Sequence, residues 1–201
     1  RAYAADMLLT PLHTERRGCA ALTQQCLTRL ILNCKGDLKM PEKIESFKVN
    51  HELLKRGIYV SRKDYNNNNE VIATTFDIRM KEPNREPVMN IAEVHTIEHL
   101  GATFLRNHIE YKNKTIYFGP MGCRTGFYVI LKGDLNSKDI INIIKEMFEF
   151  MAKYEGEIPG ADPKSCGNYL DQNLPMAKYE ASKFLNEILK NIKDENLVYP
   201  V

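Results

Sequence analysis

The pentapeptide His95-Thr96-Ile97-Glu98-His99 places two imidazoles and a carboxylate on one short stretch of chain. Its surroundings predict a helix within residues 90–108. Asn90 can cap it, Glu93 stands three residues on as in a capping box, and apolar residues recur at Ile91, Val94, Ile97, Leu100 and Leu105. On a helix that turns about 100° per residue, His95 and His99 stand one above the other with Glu98 to one side. Two neutral histidines at this spacing are the commonest way a helix offers a divalent metal two ligands. A neighbouring carboxylate that does not ligate is left free to move protons.

Two cysteines extend the chemistry. Cys123 lies in the turn 119–125, among Gly119, Gly122 and Gly126, a composition that implies close backbone approach. Cys166 follows the proline- and glycine-rich loop 155–163. Thiolate is a good ligand for zinc or ferrous iron, so either thiol can complete a His2Cys site with one open position. The other is then spare. A spare thiol beside a cation, with Arg124 next in sequence to Cys123, has a lowered pKa and can serve as base or nucleophile. The same His-x-x-Glu-His order is the signature of inverted zinc metallopeptidases, and this alternative stands on the motif alone.

The elements that must position these residues follow from periodicity. Residues 57–63 read as a strand, 64–70 as a turn, and Val71 to Met80 as a second strand in which Thr74, Phe76, Ile78 and Met80 alternate with Thr75, Asp77 and Arg79. The pair reads as a hairpin with one buried face. Two further strands are expected near 115–118 and 126–132. An amphipathic helix is expected from Ser137 to about Tyr154, with a core stripe of Ile140, Ile144, Met147, Met151 and Tyr154, and a last helix over roughly 175–192. Antiparallel strands covered by about three main helices, with the histidine pair on a central one, make a single α+β domain.

Composition limits the function classes. The chain has 201 residues and a formal net charge of +2, and residues 1–39 carry six Lys/Arg against three Asp/Glu, so the rest is close to neutral. Such a balance gives no electrostatic case for nucleic acid or an anionic membrane, and charges interrupt every apolar run that a bilayer span would need. Residues 1–39 also hold Cys19, Cys26 and Cys34 and show no sustained period; they read as an appendage, with the domain running over 40–201. Two thiols in such a domain do not make a disulfide framework, and a reducing cytoplasm is the expected setting.

Five blocks then carry a resemblance: 44–51 (from Ile44 to His51), 75–79 (Thr75 to Arg79), the histidine motif with Leu100, 119–128 (Gly119 to Tyr128) and 164–169 (Lys164 to Tyr169). In this order they resemble the successive motifs of the S-ribosylhomocysteine lyase (LuxS) family. The resemblance implies that His95, His99 and Cys166 bind the metal, that Glu98 and Cys123 are the acid/base pair, and that Ser46, His51 and Arg79 line the substrate pocket. It further implies one ferrous ion per subunit, replaceable by Zn2+ or Co2+, and a homodimer with sites at the interface. Arg124 departs from the glutamine found in many members of the family. The implied reaction takes S-ribosylhomocysteine to homocysteine and 4,5-dihydroxy-2,3-pentanedione, the autoinducer-2 precursor. Two carbonyl migrations bring the carbonyl to C3, after which the C5–S bond is a β leaving group. Such migrations need charge stabilisation and bases on more than one side.

Overall fold

The computed structural model describes residues 43–200; the expected appendage at 1–39 lies outside the described residues. A short helix α1 (Glu45–Lys48) precedes the hairpin of β1 (Gly57–Tyr65) and β2 (Val71–Arg79). The chain then crosses through α2 (Ile91–Asn107) to β3 (Thr115–Pro120) and β4 (Gly126–Lys132). All pairings are antiparallel and the sheet order is β1-β2-β4-β3, so the fourth strand closes against the second. Helices α3 (Ile141–Lys153) and α4 (Leu174–Glu187) complete the expected α+β domain.

One face of the sheet carries the core. Phe76 and Ile78 of β2 stand opposite Val129 and Phe127 of β4, and all four are fully buried beside Ile97 and Leu100 of α2, Phe148 of α3 and Phe184 of α4. Alternation along each strand delivers these residues to the helices, and the helical stripes meet them. Of the expected stripe, Ile140, Ile144, Met147 and Met151 are fully buried, while Tyr154, just past the helix end, is only partly so. The first turn, Ser137–Ile140, is 3-10 rather than α, capped reciprocally by Asn136 and Asp139. The last helix ends at Glu187, short of the expected 192, because the chain leaves α geometry at Ile188 and buries Leu189 through a tighter turn.

The hairpin departs from the one-face expectation. Thr75, Asp77 and Arg79 point away from the core, yet Asp77 is 1% and Arg79 3% exposed. The reason is a second cover. Tyr59, which pairs with Asp77 across β1–β2, stacks on Tyr199 of the C-terminal tail with ring centroids 4.8 Å apart, and the Tyr199 hydroxyl donates to Asp77 Oδ2 at 2.9 Å. Just past β2, buried Lys81 pairs with Glu180 of α4 at 2.6 Å, tying the strand end to the helical layer. Among the described residues no helix is long and apolar enough to cross a membrane.

Gly126 lets β4 approach β2 opposite Arg79: a Cβ there would lie 2.2 Å from the Ile78 carbonyl oxygen. We expect Gly126→Ala to lower stability by about 1–3 kcal/mol, as overpacking against backbone does, measured by urea unfolding. A midpoint equal to that of the parent protein would contradict the crowding.

Candidate active site

Helix α2 starts as the sequence requires. Asn90 and Glu93 form the reciprocal capping box, and Glu93, Val94, Ile97, Leu100, Gly101 and Leu105 are buried. That leaves His95 and His99 on the flank away from the core. Each ring is turned by a carbonyl: His95 Nδ1 donates to Asp171 O at 2.9 Å and His99 Nδ1 to Pro159 O at 2.7 Å. Thr96 Oγ1 reaches Gln172 Oε1 at 2.8 Å and accepts from Asn173 N–H at 2.9 Å, which holds the 172–173 segment against the helix. With both Nδ1 atoms protonated, both Nε2 atoms carry lone pairs, and these face each other at 3.0 Å. Cys166 Sγ lies 3.4 Å from His95 Nε2, and the three donor atoms all fall within 4.8 Å of one another. Two lone pairs and a sulfur so arranged repel unless something positive sits among them. The cluster therefore fits a divalent cation, with the Asp171 and Pro159 carbonyls orienting the imidazoles.

Cys123 occupies the turn between β3 and β4. Arg124 follows it with φ of 57°, the left-handed region. The turn is pinned on both sides: Met80 and Lys81 N–H donate to Thr125 O, and Met89 N–H donates to Arg124 O. Arg79 Nη2 pairs with Asp77 Oδ2 at 2.5 Å, and its Nη1 donates to Thr125 Oγ1 at 2.5 Å and lies 3.8 Å from Cys123 Sγ. Thr125 Oγ1 is 3.1 Å from the same sulfur. Burial pushes the Cys123 thiol up, but the Thr125 hydroxyl and N–H together with the Arg79 charge outweigh it and hold the thiol below its ordinary value. The activating cation is thus Arg79, from a neighbouring strand, and not the sequence neighbour Arg124. Burial raises the Asp77 carboxyl, while Arg79 and the Tyr199 hydroxyl pull it back.

The other expected residues divide between these groups. Ser46 hydrogen-bonds Tyr128 and, with Ile44, Thr75 and Tyr117, lines an open cavity of about 270 Å³ on the outward face of the sheet. His51 is turned by its Nδ1 to Val49 O and lies close enough to Asp77 to favour its charged form. Glu98, half-buried on α2, makes no hydrogen bond or ion pair among the described residues. No hydrogen bond, ion pair or ring contact joins the His95–His99–Cys166 group to the Cys123–Arg79 group among the described residues. Sequence reasoning missed Asp77, Thr125 and Tyr199. For Asp77 a signal was present, since residues two apart on a strand share a face.

A thiol held toward thiolate and a separate histidine–cysteine cluster are the equipment of an acid–base enzyme. Comparison with known proteins makes the class specific. Residues 44–195 match the model of the family described as S-ribosylhomocysteinase (LuxS). The chain is similar to the S-ribosylhomocysteine lyases of Finegoldia magna, 66% identical over 158 residues, and Clostridium beijerinckii, 64% identical over 159 residues. Each match covers 79% of this chain, with 98% and 99% of the relative respectively. The lyase of Porphyromonas gingivalis strain W83 is 58% identical over a similar span, 99% of that protein. The chain belongs to the S-ribosylhomocysteinase (LuxS) family of carbon–sulfur lyases.

The thiol environment can be measured directly. A lowered pKa means that the thiolate is half-formed at a lower pH, so iodoacetamide labelling of Cys123, mapped by mass spectrometry, should rise with a midpoint below that of an unperturbed cysteine in a short peptide labelled alongside. A midpoint at or above that of the peptide would show that burial, which raises it, wins.

Proposed function

We propose that this chain cleaves S-ribosylhomocysteine to homocysteine and 4,5-dihydroxy-2,3-pentanedione by two carbonyl migrations and a β-elimination. One observation carries the mechanism: a cysteine whose hydrogen-bond and charge environment holds its thiol below the ordinary value, in a chain spanning 98–99% of relatives named for this lyase. Cys123 Sγ is the base that takes a proton from a sugar carbon and returns it to the next. Arg79, whose terminal nitrogens reach Asp77 and Thr125, acts on the thiol as well as lining the substrate pocket. Glu98, whose carboxylate has no partner among the described residues, moves protons on the other side. Ser46 and His51 bind the substrate, with Ser46 lining the cavity on the outward face of the sheet.

His95, His99 and Cys166 hold one divalent metal per subunit in this reading, ferrous iron natively with Zn2+ or Co2+ able to replace it. When bound, such a cation supplies Lewis acidity to oxygens of the opened sugar. The facing Nε2 lone pairs support the assignment.

The protein acts as a homodimer whose sites lie at the interface. Two things support this: exposed Phe47, Leu53, Ile72 and Tyr117, and, among the described residues, no hydrogen bond or ion pair joining the cation cluster to Cys123. Arg79 and Cys123 lie together in one chain, so Arg79→Ala and Cys123→Ala should not complement each other in mixed dimers. Cys166→Ala mixed with Cys123→Ala should regain up to one competent site per dimer. No recovery, with heterodimers shown to form, would place both groups of one site in the same subunit. Residues 1–39 fall outside the family match and are dispensable in this reading, so a protein beginning at Met40 should keep full turnover. Free thiols at Cys123 and Cys166 suit a reducing cytoplasm.

The deciding experiment incubates anaerobically prepared protein with S-ribosylhomocysteine and measures released thiol. Cys123→Ala should lose about 10²- to 10⁴-fold or more of that release while keeping its metal, whereas Cys166→Ala should lose the metal itself. A metallopeptidase, the alternative built on the histidine motif, has no use for Cys123. A Cys123→Ala protein that still releases homocysteine at the parent rate would overturn the lyase mechanism.

A further inference from the structure

We propose that Thr125 is a positioning residue for Cys123: its hydroxyl, aimed by Arg79, donates a hydrogen bond to the sulfur and favours its deprotonated form. This rests on the reading of Cys123 as the base.

The direction of each bond follows from which atoms carry hydrogen. Guanidinium nitrogens only donate, so at the 2.5 Å contact Arg79 Nη1 is the donor and Thr125 Oγ1 the acceptor. A hydroxyl has one hydrogen, and the remaining polar atom bonded to Oγ1 is Cys123 Sγ at 3.1 Å. Were the sulfur to donate instead, the hydroxyl hydrogen would have no acceptor among the described residues, in a side chain only 4% exposed. The hydroxyl therefore donates to sulfur, a bond that is stronger to S⁻ than to S–H.

The orientation is fixed from further back. Arg79 Nη2 is held by Asp77 Oδ2, which also accepts from Tyr199 Oη. The Thr125 carbonyl is held by Met80 and Lys81, and the left-handed Arg124 turns Cys123 and Thr125 toward one another. The titratable groups around the sulfur and its partners include Arg79, Asp77, Tyr128, His51, Tyr199 and Tyr59. Of these only Arg79 contacts the sulfur directly among the described residues. Thr125 adds a neutral donor that this cation itself orients.

The test is the pH dependence of iodoacetamide labelling of Cys123 in the metal-loaded protein without substrate, with folding checked by circular dichroism. In Thr125→Val the labelling midpoint should rise by about one unit, and kcat for thiol release should fall with KM little changed. Thr125→Ser, which keeps the hydroxyl, should restore both. Thr125→Ala serves as a second hydroxyl-free variant if the valine protein does not fold. A folded hydroxyl-free variant with an unmoved midpoint, or a serine variant that behaves like valine, would overturn the proposal. Because labelling needs no turnover, that result is separate from a parent protein that fails to release thiol, which would sink the lyase reading instead.

Discussion

The Asp77–Arg79 pair is the constraint around which the outward face of this domain is built. Two opposite charges sit side by side on the central strand, 2.5 Å apart and almost wholly out of water. Such a pair adds little net stability over apolar residues of the same size, since desolvation offsets most of the attraction, but losing one partner strands a buried charge. Its presence on β2 therefore calls for a role other than cohesion. The role is visible in what Arg79 does next: with one nitrogen fixed by Asp77, its other terminal nitrogen is delivered to the turn that carries Cys123.

The fold separates two kinds of chemistry by using two faces of different elements. Helix α2 turns its apolar stripe into the core and leaves a histidine flank that the 159–171 segment covers with carbonyls. The sheet turns Phe76, Ile78, Phe127 and Val129 toward the helices, and on its other side displays Asp77, Arg79 and Tyr128. One layer gathers lone pairs in an arrangement that fits a cation, and the other presents a cation to a thiol. Each arrangement would be disturbed by the other's charge, so their distribution over separate elements is electrostatically consistent.

Much of this was legible from the chain. A capping box, a 3.6-residue stripe and an i, i+4 histidine pair are local signals, and α2 follows them almost residue for residue. The strands and the α3 stripe are equally local. What escaped was set by sequence separation. Arg124 stands next to Cys123 in the chain and looked like its activating cation, yet the contact belongs to Arg79, 44 residues away and brought near by the β2–β4 pairing. The burial of Asp77 depends on Tyr199, 122 residues distant, and no periodicity within β2 can report a cover that arrives from the tail. The early end of α4 is likewise a tertiary outcome, since the chain tightens into a 3-10 turn that buries Leu189 against the core.

The Tyr59–Tyr199 stack makes the carboxyl-terminal tail a wall of the polar interior. Shaving by an exopeptidase past Tyr199 would remove a residue that touches neither cluster, yet it would flood Asp77 with solvent, raise the local dielectric, and loosen the guanidinium's hold on its threonine. Terminal tags and proteolytic nicks, commonly regarded as innocuous in preparations of small enzymes, become at this end of the chain a route to thiols of altered acidity and batches of uneven potency.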